Sequence, residues 1–147
     1  MRSIILRLAL GILAAFVAVS AIAGAIWVVP TMPLDWIKAG PFTDWTIPAI
    51  ALGLVGAFAA VTAVVVAVRP WVGALMSVVA GATLVTFELV EVGVVGWTLT
   101  EYGTDTFQAW LQLVYLVIGT AQIAIGAALW WLTRESAPRI PILHPAT

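Results

Sequence analysis

Two glutamates, Glu88 and Glu91, lie within an otherwise apolar run of the chain, residues 71–99. A carboxylate at the centre of a bilayer costs roughly 2.5–3.5 kcal/mol on insertion scales, so an acidic residue at that depth points to a functional site. A helix places residues three positions apart on one face. Two carboxyl groups this close and removed from water do not both ionise, so we expect at least one to hold a proton near neutrality.

A second set of polar side chains recurs in the apolar run 107–133. Its members are spaced by four, three, four, three and four positions, which keeps all of them on one helix face. The rest of this run is mostly Leu, Val, Ile and Ala, so the segment has one polar face and a remainder compatible with lipid. The residues on the polar face are Gln108, Gln112, Tyr115, Gly119, Gln122 and Gly126.

The depths of the two polar faces can be compared because the runs are joined by a short segment and must be antiparallel. Trp97 and Trp110 are taken as level at one membrane interface, and depth is counted at about 1.5 Å per residue. On this count the two faces match in depth. The predicted contacts are Glu91 with Gln112 or Tyr115, and Glu88 with the gap at Gly119, above Gln122.

A cluster of carboxyl, amide and phenol groups within a membrane suits few tasks. Our first hypothesis is proton-linked binding or transport of a cation or small polar solute, with Glu88 as the protonatable group and Glu91 as its partner. One alternative is a non-catalytic accessory or assembly subunit whose polar face packs on a partner membrane protein. Another is a lipid or quinone binder. The predicted site residues are Glu88, Glu91, Gln112, Tyr115, Gln122 and Gln108.

Other classes of chemistry find little support in the residues present. The chain has no cysteine and one histidine, His144, in its last residues, so the apolar runs offer no nucleophile–base pair and no His-rich metal site. No glycine-rich phosphate loop occurs. A net charge of −1 provides no field for nucleic acid. We therefore expect no enzyme activity, cofactor, metal or nucleic-acid partner.

The composition predicts an integral membrane protein. The chain is 63% hydrophobic and 9% charged, whereas an ordinary soluble domain is about 25% charged. Four runs reach the roughly 20 apolar residues needed to cross a bilayer. They predict an all-α, four-helix transmembrane bundle in one domain, 1–135, followed by a proline-containing tail, 136–147. Its expected partners are the lipid bilayer and either further copies of the same chain or a larger membrane complex. The runs are 6–29, 46–68, 71–99 and 107–133.

The distribution of Lys and Arg predicts the orientation, because short cytoplasmic loops are enriched in both. Both termini and the connection between the second and third runs are basic, which predicts an N-in/C-in topology. The Lys-poor composition, rich in Ala, Val and Trp, favours a bacterial inner membrane. The cytoplasmic set is Arg2, Arg7, Arg69, Arg134 and Arg139, against Lys38 outside.

The segments that flank the runs lead to two further predictions. Arg2 and Arg7 before an apolar stretch imitate a secretory signal with a small-residue cleavage site at 21–23. The apolar run continues to residue 29, however, which favours a retained first helix that Pro30 and Pro33 end. Thr43 or Asp44 is expected to cap the second helix.

Overall fold

The computed structural model describes residues 2–31, 42–95 and 106–134, without the side chains of residues 94–95 and 106–109. These parts of the chain form four helices, and all four are long and apolar enough to cross a membrane. The prediction of an all-helical chain with four candidate spans is therefore confirmed. The helices are α1 (Arg2–Thr31), α2 (Thr46–Val68), α3 (Pro70–Val95) and α4 (Thr106–Thr133).

The helix ends differ little from the predicted runs. The first helix includes Pro30 and is described to Thr31, between the two prolines predicted to end it. A proline lacks the N–H that continues the helical ladder, which agrees with a helix that stops within one residue of it. The hydroxyl of Thr31 donates to the carbonyl oxygen of Trp27 at 2.6 Å. The predicted span 71–99 is helical to Val95, and residues 96–99 lie outside the described part.

Neither Thr43 nor Asp44 is the N-cap of α2, because Trp45 holds that position without a side-chain cap bond. Asp44 lies one residue before it and still bonds to the start of the helix. Its Oδ1 accepts a hydrogen bond from the backbone N–H of Thr46 at 2.8 Å. This bond favours the ionised carboxylate and holds the pKa of Asp44 below its usual range. Negative charge at a helix N-terminus also interacts favourably with the helix dipole.

A single residue, Arg69, connects α2 to α3. Its N–H donates to Val65 at 2.8 Å, and its carbonyl oxygen accepts from Gly73 at the same distance. Pro70 begins α3, where a missing N–H removes no helical hydrogen bond. A Cβ on Gly73 would run into the backbone of Val66, so the corner requires a residue without a side chain there.

The four helices form an antiparallel bundle in which each packs on its neighbours in chain order, and α4 returns to α1. The α1–α2 and α3–α4 pairs are the most extensively packed. Glycines permit the close approach that helices in lipid often use. A Cβ on Gly56 would lie 2.8 Å from a side-chain carbon of Ile22, and one on Gly126 would lie 2.8 Å from the carbonyl oxygen of Ala74.

The interior consists of two apolar clusters with polar side chains between them. The outward faces of the helices are lined with exposed Leu, Ile and Val, as expected of surfaces that contact lipid. Along α2, α3 and α4 one buried polar residue separates the clusters: Thr62, Ser77 and Gln122, respectively. The first cluster contains Val17, Ala18, Val55, Ala59 and Leu84, and the second contains Leu10, Val66, Ala74 and Leu129.

Candidate functional site

Both glutamates of α3 turn towards the interior of the bundle. Glu88 is 2% exposed, and Glu91 is partly buried. Between them Leu89 and Val90 are exposed on the outer surface. The three-residue spacing therefore separates an acidic inner face from an apolar outer face, as the helical period requires.

Gln112 of α4 provides the contact across the helix interface. Its Nε2 donates to Oε1 of Glu91 at 3.2 Å, which confirms the predicted pairing. The side chain is 4% exposed, and its Oε1 is buried without a hydrogen-bond partner among the described residues. Because the amide nitrogen is committed to a carboxylate, the amide oxygen remains available as an acceptor.

Tyr115 links this part of α4 to α1. The hydroxyl of Ser20 and the carboxyl groups of Glu88 and Glu91 lie near enough to its phenol to affect its electrostatics. The ring also packs against the apolar cluster that contains Val17. We call Glu88, Glu91, Gln112 and Tyr115 the carboxylate cluster.

Ser20 was not among the predicted site residues. Its hydroxyl donates to the carbonyl oxygen of Phe16 at 2.7 Å, which leaves its lone pairs free to accept from a neighbouring group. The sequence could have indicated Ser20, because it is the one hydroxyl-bearing side chain of the apolar run 6–29. The same signal marks Thr62, the one polar side chain in the interior of α2.

The predicted contact between Glu88 and Gly119 is wrong. Gly119 instead lies against Val85 and Gly81 of α3, since a Cβ on it would lie 2.8 Å from Cγ2 of Val85 and 2.9 Å from the carbonyl oxygen of Gly81. Close approach of the two backbones at these glycines sets the register. The predicted level placement of Trp97 and Trp110 falls on Trp97, which lies outside the described residues.

Gln122 is consequently not part of the carboxylate cluster. It packs beside Gly81, about two helical turns, or roughly 10 Å, further along α3 than Glu88. The side chain is 1% exposed, and its Nε2 has no hydrogen-bond partner within the described chain. The other two buried polar residues between the apolar clusters, Thr62 and Ser77, donate from their hydroxyls to their own helices at 2.9 and 2.8 Å. Gln108 is in α4, but its side chain lies outside the described part.

The charges of the described residues are segregated along the bundle. The acidic residues, Asp44, Glu88 and Glu91, occupy the half that contains the α2 N-terminus. The arginines occupy the opposite end, so neither glutamate has a cationic partner among the described residues. No group of three potential metal ligands occurs there either. We call the end that holds these arginines the basic end; they are Arg2, Arg7, Arg69 and Arg134.

Comparisons with protein-family models, with curated proteins and with solved structures find no match to this chain. The fold and the charge distribution define it as an all-helical bundle with four helices that could cross a membrane. Its function must be argued from the carboxylate cluster alone.

Proposed function

We propose that this chain is an integral membrane protein that binds a small cation at the carboxylate cluster and couples this binding to the release of a proton. Movement of that cation across the membrane is the activity this chemistry serves best. The site residues are Glu88, Glu91, Gln112 and Tyr115.

The membrane location is supported by the four apolar helices and by the segregation of charge. The described arginines share the end formed by the α1 N-terminus, the α2–α3 corner and the α4 C-terminus. Cytoplasmic loops are enriched in Lys and Arg. We therefore propose that this end faces the cytoplasm of a bacterial cell, which places both termini inside.

The observation on which the cation proposal depends is a surplus of hydrogen-bond acceptors. Among the described residues, no donor reaches the buried Oε1 of Gln112, and no hydrogen bond reaches the Glu88 carboxyl group. The one amide donor nearby is already used by Glu91. Buried acceptors without donors are costly, and a cation with N–H groups satisfies them while it neutralises charge.

The same geometry distinguishes between kinds of cation. Quaternary ammonium groups have no N–H donor and are typically recognised by several aromatic faces. The cluster instead has two carboxyl groups, an amide oxygen and one tyrosine. Guanidinium or ammonium groups form directional, charge-assisted hydrogen bonds to carboxylates, so this set of acceptors favours them.

Proton coupling follows from the proximity of the two carboxyl groups. Glu88 interacts electrostatically with Glu91, and neither has a cationic partner within the described part. An empty site of this kind is most stable with a shared negative charge and one proton. A bound cation stabilises the second negative charge, so the proton leaves as the cation enters.

One feature favours this proposal over an accessory subunit whose polar face packs on a partner helix. The chain's own helices already bury Glu88 and Gln112, and α1 covers Tyr115. A partner helix is therefore not needed to remove these groups from lipid.

The experiment uses guanidinium and tetramethylammonium, two monovalent cations that stay charged at all accessible pH values. Purified protein is titrated with each by calorimetry in two buffers of different ionisation enthalpy, which reports proton release. We expect saturable guanidinium binding with proton release, at least tenfold weaker tetramethylammonium binding, and loss of guanidinium binding in Glu88→Gln. Reconstituted vesicles should then show guanidinium uptake driven by a proton gradient.

Thr83→Val is the matched control, because Thr83 lies on the outer face of α3 and bonds to the carbonyl oxygen of Val79 at 2.9 Å. This variant should bind guanidinium normally. Equal binding of guanidinium by the wild type and Glu88→Gln would refute the site. Absence of binding, together with co-purification of a stoichiometric membrane partner that is lost in Glu91→Ala, would establish the accessory role instead.

A further inference from the structure

A groove runs between α1 and α2 at the basic end, far from the carboxylate cluster. It encloses about 460 Å³. Gly11 leaves it wide, since a Cβ at this position would meet nothing within 4 Å. Its walls are almost entirely aliphatic, with one charged member, Arg7. The lining includes Ile4, Leu8, Ile12, Ala15 and Ala63.

Arg7 is held at the groove by the end of α2. Its Nη2 donates to the carbonyl oxygen of Ala67 at 2.6 Å. Carbonyl groups at a helix C-terminus lack helical partners, and a cation there interacts favourably with the helix dipole. A guanidinium has five N–H donors, so this bond positions Arg7 and leaves donors for an anion.

The charge around the groove is uniformly positive in the described part of the chain. Arg2, Arg69 and Arg134 share its end of the bundle, and every described acidic residue is in the other half. Juxtamembrane arginines attract anionic lipid headgroups by about 1 kcal/mol each, and basic pockets between membrane helices bind such headgroups.

We propose that this groove binds one anionic phospholipid, with the phosphate on Arg7 and an acyl chain along the aliphatic wall past Gly11. The combination of an apolar channel with a cation at the membrane-surface end matches an amphiphile with an anionic head. A second copy of this chain would bring the same positive end against Arg7, which like-charge repulsion opposes. The inference relies on the proposed membrane location but not on the cation site.

The experiment is a titration of the purified protein with phosphatidylglycerol and phosphatidylcholine, followed by native mass spectrometry. We expect one phosphatidylglycerol retained per chain and at least fivefold less phosphatidylcholine. Arg7→Gln and Gly11→Leu should each reduce phosphatidylglycerol retention at least fivefold. Gly11→Leu places a side chain in the groove at a position where a Cβ meets no described atom within 4 Å, so it tests the groove independently of Arg7 and α2.

Two matched controls separate the groove from general effects. Gly93→Leu adds the same side chain at the other end of α3, where a Cβ meets no described residue within 4 Å, and it should retain lipid normally. Arg134→Gln removes a charge from the same end of the bundle, where the guanidinium lies 5.2 Å from the ring centre of Trp131. This variant should change phosphatidylglycerol retention less than twofold. Glu88→Gln should retain lipid, which distinguishes this site from the cation site.

Several outcomes would overturn the proposal. Equal retention of the two lipids, or equal losses in Arg7→Gln and Arg134→Gln, would show a diffuse surface charge rather than a site. In another outcome, inorganic phosphate at millimolar concentration displaces the lipid equally well whether or not the lipid has an acyl chain. That result would indicate an anion site at Arg7 and no acyl-chain site in the groove. A dimer that Gly11→Leu dissociates would identify the groove as an interface between copies.

Discussion

The hydrogen bond between Gln112 and Glu91 is the contact by which α3 and α4 recognise each other at their polar faces. Such bonds between membrane helices contribute about 0.6 kcal/mol on average. Removing the amide also leaves a partly buried carboxyl group without its donor. The free-energy consequence of losing Gln112 should therefore depend on whether Glu91 is present.

We predict that Gln112→Leu destabilises the wild type more than it destabilises Glu91→Leu. The expected coupling energy is about 0.6 kcal/mol and at most about 1.7 kcal/mol. Unfolding of all four proteins by steric trapping in bicelles gives this number. Thr83→Val provides the control, because it should be additive with Gln112→Leu. Additivity between Gln112→Leu and Glu91→Leu would contradict the bond.

Asp44 provides a prediction at a fully exposed position. The N–H of Thr46 stabilises its charged form, so folding is favoured above the usual pKa of about 3.9 and this contribution is lost as the pH falls towards the lower folded value. We expect the Asp44 carboxyl carbon to titrate by NMR below about 3.9. In Asp44→Asn, protection of the Thr46 amide should not depend on pH in this range. Titration of Asp44 at its ordinary pKa would refute the bond.

At the scale of the elements, the register of α3 against α4 depends on glycines rather than on the polar side chains. A Cβ on Gly81 would collide with the carbonyl oxygen of Gly119 and lie 3.0 Å from Cβ of Gln122. Lipid-embedded helices associate mainly through packing and interhelical hydrogen bonds. Small residues therefore determine which polar groups can meet.

We predict opposite effects from the same substitution at two positions of α3. Gly81→Ala should cost about 1–3 kcal/mol of unfolding free energy because the helices must separate. Gly93→Ala should be neutral or stabilise by up to about 1 kcal/mol, since a Cβ there meets nothing within 4 Å. Steric-trapping measurements compare both with the wild type. Equal effects would mean that the close approach at Gly81 does not exist.

At the scale of the whole molecule, the bundle has a chemical polarity along its long axis. The basic end holds the described arginines, and the opposite half holds Asp44, Glu88 and Glu91. A positive end facing the cytoplasm follows the rule for short loops. The cation site is then closer to the outer surface, and the lipid groove is at the inner one.

The orientation can be tested cleanly because the chain contains no cysteine. Single cysteines are introduced at Ser3, Thr43 and Thr133, and intact cells are treated with a membrane-impermeant thiol reagent. We expect labelling of Thr43→Cys in intact cells. Ser3→Cys and Thr133→Cys should react only after the membrane is permeabilised. The reverse pattern would invert the proposed topology, and labelling of all three in intact cells would exclude a spanning bundle.

The sequence by itself determined the four helices and the polar faces of α3 and α4. Runs of apolar residues long enough to span a bilayer leave little choice but helices, because every backbone group must be bonded within the segment. The bounds of α2 were predicted without error. Spacing by three residues correctly placed Glu88 and Glu91 on one face, and the depth count named Gln112 as one of two partners for Glu91.

Only the tertiary structure decided the register and the closure of the bundle. Helical periodicity repeats along each helix, so it fixes which face is polar but not how far one helix slides against the next. Backbone contact at Gly81 and Gly119 determines the register of α3 against α4. In this register Gln122 lies outside the carboxylate cluster. Packing of α1 against α4 brought Ser20 to Tyr115, a contact between residues 95 positions apart that no local pattern encodes.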